Sequence, residues 1–132
     1  MAFTKSVERT YTVDGAQVRV CFKRMSRVDA LAVAPFMEML SDGGIKVKFK
    51  DNLDFIDASA GVIANCVTSV SGIVIDGQEV GVNHPDWKSE VLGGVYYIAF
   101  LRDLMADIMA CSFVGGEDAK KREPVQPGAS TA

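Results

Sequence analysis

The sequence predicts an α+β fold: an N-terminal β-hairpin and a small antiparallel sheet packed on three to four α-helices, followed by a disordered C-terminal tail. Three observations carry that prediction. Alternating runs flank Asp14-Gly15, a pair suited to a tight hairpin because both turn residues tolerate positive φ. Apolar residues recur at spacings of three and four in several stretches, the longest over residues 95–113. From Gly115 onward the chain is rich in Gly, Pro, small and charged residues, a composition with too little apolar surface to order itself. Residues 1–114 therefore read as a single domain and 115–132 as a flexible tail. With 132 residues, 48% of them hydrophobic and 23% charged, the chain is long enough to bury one core.

In chain order, residues 7–13 and 16–24 form the two arms of the first hairpin. In the second arm Val18, Val20 and Phe22 share one face, and Arg19, Cys21 and Lys23 the other, so one side is buried and one wet. Ser26 then suits an N-cap, with Asp29 three residues on in a capping-box relation. Val28, Leu31, Ala32, Phe36, Met39 and Leu40 give a helical stripe that Pro35 interrupts, which predicts a kink or a helix broken in two. Asp42-Gly43-Gly44 stops it.

Residues 45–50 alternate Ile, Val and Phe with three lysines. The pattern fits a short strand with a lysine row guarding an exposed edge, or else a basic functional strip or extended loop. Asp51 or Asn52 can cap a second helix reaching about Val70, with Leu53, Ile56, Ala60, Ile63, Val67 and Val70 as its stripe and Phe55, Val62 and Cys66 widening it. Ser71-Gly72 ends it. Asp76-Gly77 marks a second, smaller hairpin, and Val82 to Pro85 links it to a helix start that Asp86 can cap. After a break at Gly93-Gly94, Val95, Ile98, Leu101, Met105, Ile108, Met109 and Phe113 form the stripe of the last helix, with Arg102, Asp103 and Asp107 toward solvent.

A net charge of −3 and an isoelectric point near 5.1 argue against nucleic acid as the main partner, because phosphate binding needs concentrated Lys and Arg. The N-terminal stretch has no apolar core of a signal peptide, and no apolar run reaches the roughly 18 residues of a membrane span. The expectation is a cytoplasmic protein that is not secreted. The three cysteines, Cys21, Cys66 and Cys111, sit in apolar runs and read as buried reduced thiols rather than disulfides or metal ligands.

No catalytic constellation emerges. His84 is the only histidine, and no cysteine, aspartate pair or serine elbow flanks it at a recognisable spacing; a surface or cap role is the simpler reading. Asp76-Gly77 lacks the alternating acids of a calcium loop, and neither Gly-Gly pair carries a P-loop signature. Asp51, Asp54 and Asp57 fit a solvated helix start better than a metal site. The expectation is therefore no catalytic residue, no metal and no cofactor. Methionines on or beside the helical stripes suit a surface that repacks against partners, although ordinary core filling explains each one as well. Pro35, Phe36, Met39, Met105 and Met109 are the candidate partner-binding residues, on the kinked helix and the last helix. Trp87 and Tyr96-Tyr97, near the Gly93-Gly94 break, are either core anchors or interface residues.

The order of elements, together with the phrase from Val70 to Gly77 (VSGIVIDG), a polar link, and a final helix from Val95 to Ser112 with a small-residue ending, resembles a tail assembly chaperone of long-tailed bacteriophages over residues 5–114. The resemblance implies a non-enzymatic protein in the cytoplasm of a bacterial host. Such a protein binds the long helical tape measure protein, keeps its apolar surface soluble, helps recruit tail-tube protein, and self-associates along that partner. It also implies a longer minor product made by ribosomal frameshifting, and Ala119-Lys120-Lys121 permits the slippery codons, although a short basic patch is the plainer reading. A structural neck or tail accessory protein of a phage particle is the competing class, with a small regulatory adaptor as the third.

Overall fold

The computed structural model describes residues 6–39, 41, 45–47 and 53–113, with the side chains of residue 39 and residues 45–47 outside that description. Strands β1 (Ser6–Val13) and β2 (Ala16–Lys23) form the first hairpin, and β5 (Val67–Ser71) lies on the other side of β2, so the sheet order is β1-β2-β5, antiparallel throughout. The turn is the one its residues demand: Asp14 and Gly15 both have positive φ, at 51° and 81°. Asp76 and Gly77 repeat the arrangement, at 51° and 79°, in the small hairpin of β6 (Val74–Ile75) and β7 (Gln78–Glu79).

The inner face of the sheet carries Val18, Val20 and Phe22, all buried, against α2 (Leu53–Cys66) and α3 (Ile98–Ser112). In α3, Leu101, Leu104, Met105, Ile108 and Met109 are completely enclosed. Burying five large apolar side chains contributes on the order of 10 kcal/mol before the entropy of ordering is set against it. Around this core the polar ties are specific. The Tyr11 hydroxyl donates to Asp107 at 2.7 Å, and its ring meets Phe100 edge-to-face at 5.5 Å. Arg24 donates to the Cys111 carbonyl at 2.8 Å and the Met25 amide to the Ser112 hydroxyl at 2.9 Å, fixing the end of α3 beside the end of β2.

Five expectations are corrected. The helix beginning after Ser26 is only α1 (Arg27–Val33); a 3-10 turn over Ala34–Phe36 follows, and then β3 (Met37–Met39) pairs with β4 (Ile45–Val47). Pro35 enters at the start of the 3-10 turn, where its missing N–H costs nothing, and the chain leaves helical geometry there. The stripe on α1 also faces the wrong way: Val28 and Leu31 are 76% and 70% exposed, while Asp29 and Val33 turn inward.

The second helix stops at Cys66, and Val67–Ser71 is strand. β-branched Val67, Thr68 and Val70 fit the free edge of β2, which the hairpin leaves open. Thr68 is the extra residue of a bulge there, and its hydroxyl donates to the Cys21 carbonyl at 3.2 Å. Leu53 is 69% exposed, and the buried stripe runs instead through Phe55, Ile56, Ser59, Val62, Ile63 and Cys66.

The final helix begins at Ile98 rather than Val95, which is 79% exposed. Before it, Trp87–Leu92 forms a π-helical turn that buries Trp87, Val91 and Leu92. A side chain at Gly94 would put its Cβ 2.6 Å from the Glu90 carbonyl oxygen, so the chain can fold back over that turn only with glycine there. The expected tail 115–132, the caps at Asp51 and Asn52, the stop at Asp42-Gly43-Gly44 and the lysines at 48 and 50 lie outside the described residues.

Candidate functional site

The five residues singled out from the sequence separate into two groups. Met105 and Met109 are fully enclosed in the core, so they belong to folding and not to a docking surface; α3 spends both on the sheet and on α2. Pro35 is exposed and Phe36 half-buried, its ring held edge-to-face against Phe55 at 5.5 Å. Met39 sits in β3 by its backbone, and its side chain lies outside the described residues.

What the structure places beside Pro35 is the outer face of α1, which sequence periodicity assigned to the core. Val28 and Leu31, one turn apart, project into solvent, followed by exposed Ala32 and Ala34. The orientation of α1 is set by Asp29. Its carboxylate accepts from the Ser26 amide at 3.3 Å while the Ser26 hydroxyl accepts from the Asp29 amide at 3.1 Å, the reciprocal capping box. The same carboxylate accepts from Asn65 Nδ2 at 2.9 Å and from the Cys66 thiol at 3.7 Å, both on α2. Burial works against the charge, but the hydrogen bonds from Asn65, Ser26 and Cys66 outweigh it and hold the Asp29 carboxyl below the usual range. With Asp29 pinned inward, a seven-residue helix has no choice but to turn Val28 and Leu31 out.

A second surface lies at the tip of the first hairpin. Tyr96, 69% exposed, donates to Asp14 at 2.6 Å and stands edge-to-face on Tyr97 at 4.9 Å. The hydrogen bond to Asp14, with that carboxylate's charge, raises the Tyr96 phenol above its ordinary value. The tyrosine pair divides two clefts. One, of about 350 Å³, is floored by Val13, Val18, Ile73 and Ile75, with 60%-exposed Val74 at its edge. The other, of about 340 Å³, runs between the last residues of β1 and the first turns of α3 and carries Asp14 and Asp103. Gly72 permits the first cleft: at φ +103° it lies so close to β2 that a Cβ would sit 2.2 Å from the Gln17 carbonyl oxygen.

The reactive side chains are occupied structurally. His84 accepts from the Asp86 amide at Nδ1 (3.1 Å), so Nε2 carries the proton and donates to Gln78 at 3.0 Å, tying the small hairpin to the π-helical turn. None of the three cysteines forms a disulfide among the described residues; Cys66 and Cys111 are buried and Cys21 half-buried. Burial, with the charge of Asp29 beside it, pushes the Cys66 thiol up to about 12, which leaves it protonated and unreactive at neutral pH. Among the described residues no three His, Cys, Asp or Glu side chains gather into a metal-binding group, and no helix is long and apolar enough to cross a membrane. Comparison with family models, with curated proteins and with solved structures finds no match to this chain.

Sequence reasoning missed the α1 face because it ranked apolar spacing above the capping box. The signal was present in Ser26 and Asp29: a capping acid that also meets a second helix fixes the rotation of a short helix, and its apolar neighbours follow.

Proposed function

We propose that this protein is a non-enzymatic tail assembly chaperone of a long-tailed bacteriophage, binding the helical tape measure protein in the host cytoplasm and helping to recruit tail-tube protein. One observation carries the binding reading: Val28 and Leu31, three residues apart on α1, are 76% and 70% exposed and continue into exposed Pro35. A surface helix that spends its large apolar side chains on solvent suits the apolar stripe of a partner helix, which buries them at i and i+3. The order of elements and the segment from Val70 to Gly77 that resemble the chaperone family supply the identity of that helix. Neither membrane nor nucleic acid is part of the reading, and the net charge of −3 is consistent with a protein partner.

The test is co-expression with the tape measure protein of a long-tailed phage. The reading expects the two to co-purify and the tape measure protein to remain soluble only in the pair, with L31D, alone or with V28D, abolishing co-purification while the circular dichroism spectrum stays native. Co-purification unaffected by both substitutions would remove α1 from the interface. Retention of the chain in mature particles would make it a structural neck or tail component instead.

A further inference from the structure

The outer edge of β1 is open among the described residues: β1 pairs with β2 on one side and with no other strand. Its hydrogen-bonding groups can be assigned. In a two-residue turn the flanking pair, here Val13 and Ala16, is hydrogen-bonded, and alternation makes Tyr11–Val18, Arg9–Val20 and Val7–Phe22 hydrogen-bonded as well. The amides and carbonyls of Glu8, Thr10 and Thr12 therefore point away from β2. The same alternation leaves Arg19 and Cys21 of β2 free to pair with Ser71 and Ser69, which is the observed register.

We infer that this edge pairs with β1 of a second copy of the chain, antiparallel, about a two-fold axis through Thr10. The inference adds a surface and a register and does not depend on the tail-assembly reading. The sequence of the strand selects that register. Centred on Thr10, the pairs are Thr10 with its own copy, Glu8 with Thr12, Arg9 with Tyr11 and Val7 with Val13. The outward amides and carbonyls of Glu8, Thr10 and Thr12 are then used, in about six backbone bonds, and only Ser6, opposite the Asp14-Gly15 turn, is left out. Hydroxyl meets hydroxyl, and valine meets valine. Centring on Glu8 or Arg9 would set like charges directly opposite, and centring on Tyr11 or Thr12 would run the pairing into the Asp14-Gly15 turn.

The cleft beside the edge favours the same occupant. It is lined by Tyr11, Thr12 and Val13 of β1 and by Asp14 and Asp103, so a strand added there should present an apolar residue opposite Val13. In the Thr10-centred pair Val7 of the second copy holds that position, and Arg9 lies opposite Tyr11 with its guanidinium donating within its own chain to the Glu8 carbonyl at 3.1 Å and the Cys111 sulfur at 3.6 Å. Arg9 and Val7 belong to the inner face of the sheet, because they sit opposite the buried Val20 and Phe22. Facing each other across the axis, the two sheets become one of six strands with the helices of both copies on one side.

Cross-linking of the full chain tests the register. In a C21S background, a single T10C should form a disulfide-linked dimer under mild oxidation, because residues on the axis meet themselves at about 5.5 Å between Cα atoms, within disulfide range. E8C alone and T12C alone should not, since each is about 14 Å from its own copy, whereas a mixture of the two should form the heterodimer. Sedimentation velocity should show a concentration-dependent dimer. T10K should reduce it at least tenfold by placing like charges in contact, and T10P should do the same without taking an N–H from the β1–β2 ladder. A monomer at every concentration, or a dimer with equal cross-linking at residues 8, 10 and 12, overturns the inference. A monomer whose Thr10 amide is nonetheless protected from hydrogen exchange gives the edge to another part of the same chain, and overturns it equally.

Discussion

Helices α1 and α3 carry the same apolar spacing and use it in opposite ways. In α3 the stripe is enclosed: Leu101, Leu104, Met105, Ile108 and Met109 have no exposed surface, and the helix ties into β1 and β2 through Tyr11 and Arg24. In α1 the stripe is bare, and the buried positions are a charged carboxylate and one valine. The difference follows from length and from what competes. Fifteen residues present enough apolar surface that no polar contact can rotate the helix away from the core. Seven residues present little, and four hydrogen bonds at Asp29, two in the capping box with Ser26 and one each from Asn65 and Cys66, decide the rotation.

Substitutions can break or sharpen that contrast. The largest effect is expected at M105D, which buries an unpaired carboxylate in the α3 interface; the cost exceeds about 4 kcal/mol, and thermal denaturation followed by circular dichroism should show no cooperative transition. D29A should cost about 1–3 kcal/mol, since it removes the cap and leaves Asn65 without its acceptor, and chemical denaturation measures it. Because the Asp29 carboxyl is held below its ordinary value in the folded state, its stabilisation is fully present above about pH 4 and disappears as pH falls through that lowered value. The wild-type protein should therefore lose more stability than D29A over the same acid range, and equal losses would show that the contacts on Asp29 do not favour its charge. Y11F should cost about 1 kcal/mol by deleting the bond to Asp107 while keeping the ring against Phe100. L31D should change stability by no more than about 0.5 kcal/mol. A loss comparable to that of D29A would mean that Leu31 is covered in solution.

The legible parts of the fold are those decided within a few residues. Both Asp-Gly turns and the Ser26–Asp29 cap depend on backbone φ and on hydrogen bonds closed locally, and each lies where the sequence put it; at Pro35 the sequence placed a kink or break inside a longer helix, and the chain instead leaves the helix there. The stretch Val67–Ser71 was not legible, because its apolar residues continue the spacing of α2 equally well; only the empty edge of β2 turned it into strand. The candidate site divided in the same way. Met105 and Met109 have the residue type of an adaptable surface, but type does not report which side of a helix faces the core, and here both sit on the covered side of α3 while Asp103 and Ala106 stay exposed. The Tyr96–Tyr97 platform was visible only as an aromatic pair near a glycine break, and its clefts exist because β1, β2, β6 and α3 meet around it.

By itself, then, the sequence determined the α+β class, the two tight turns, the capping box and the membership of the last helix in the core, because each rests on local dihedral preference or on an apolar surface too large to leave in water. Only the tertiary structure decided the rotation of α1, the change from helix to strand at Val67 and the burial of the methionines. Each of these compares the energies of groups distant in the chain, Asp29 with Asn65, Val67 with Phe22, Met105 with the whole sheet, and sequence spacing carries no record of that comparison.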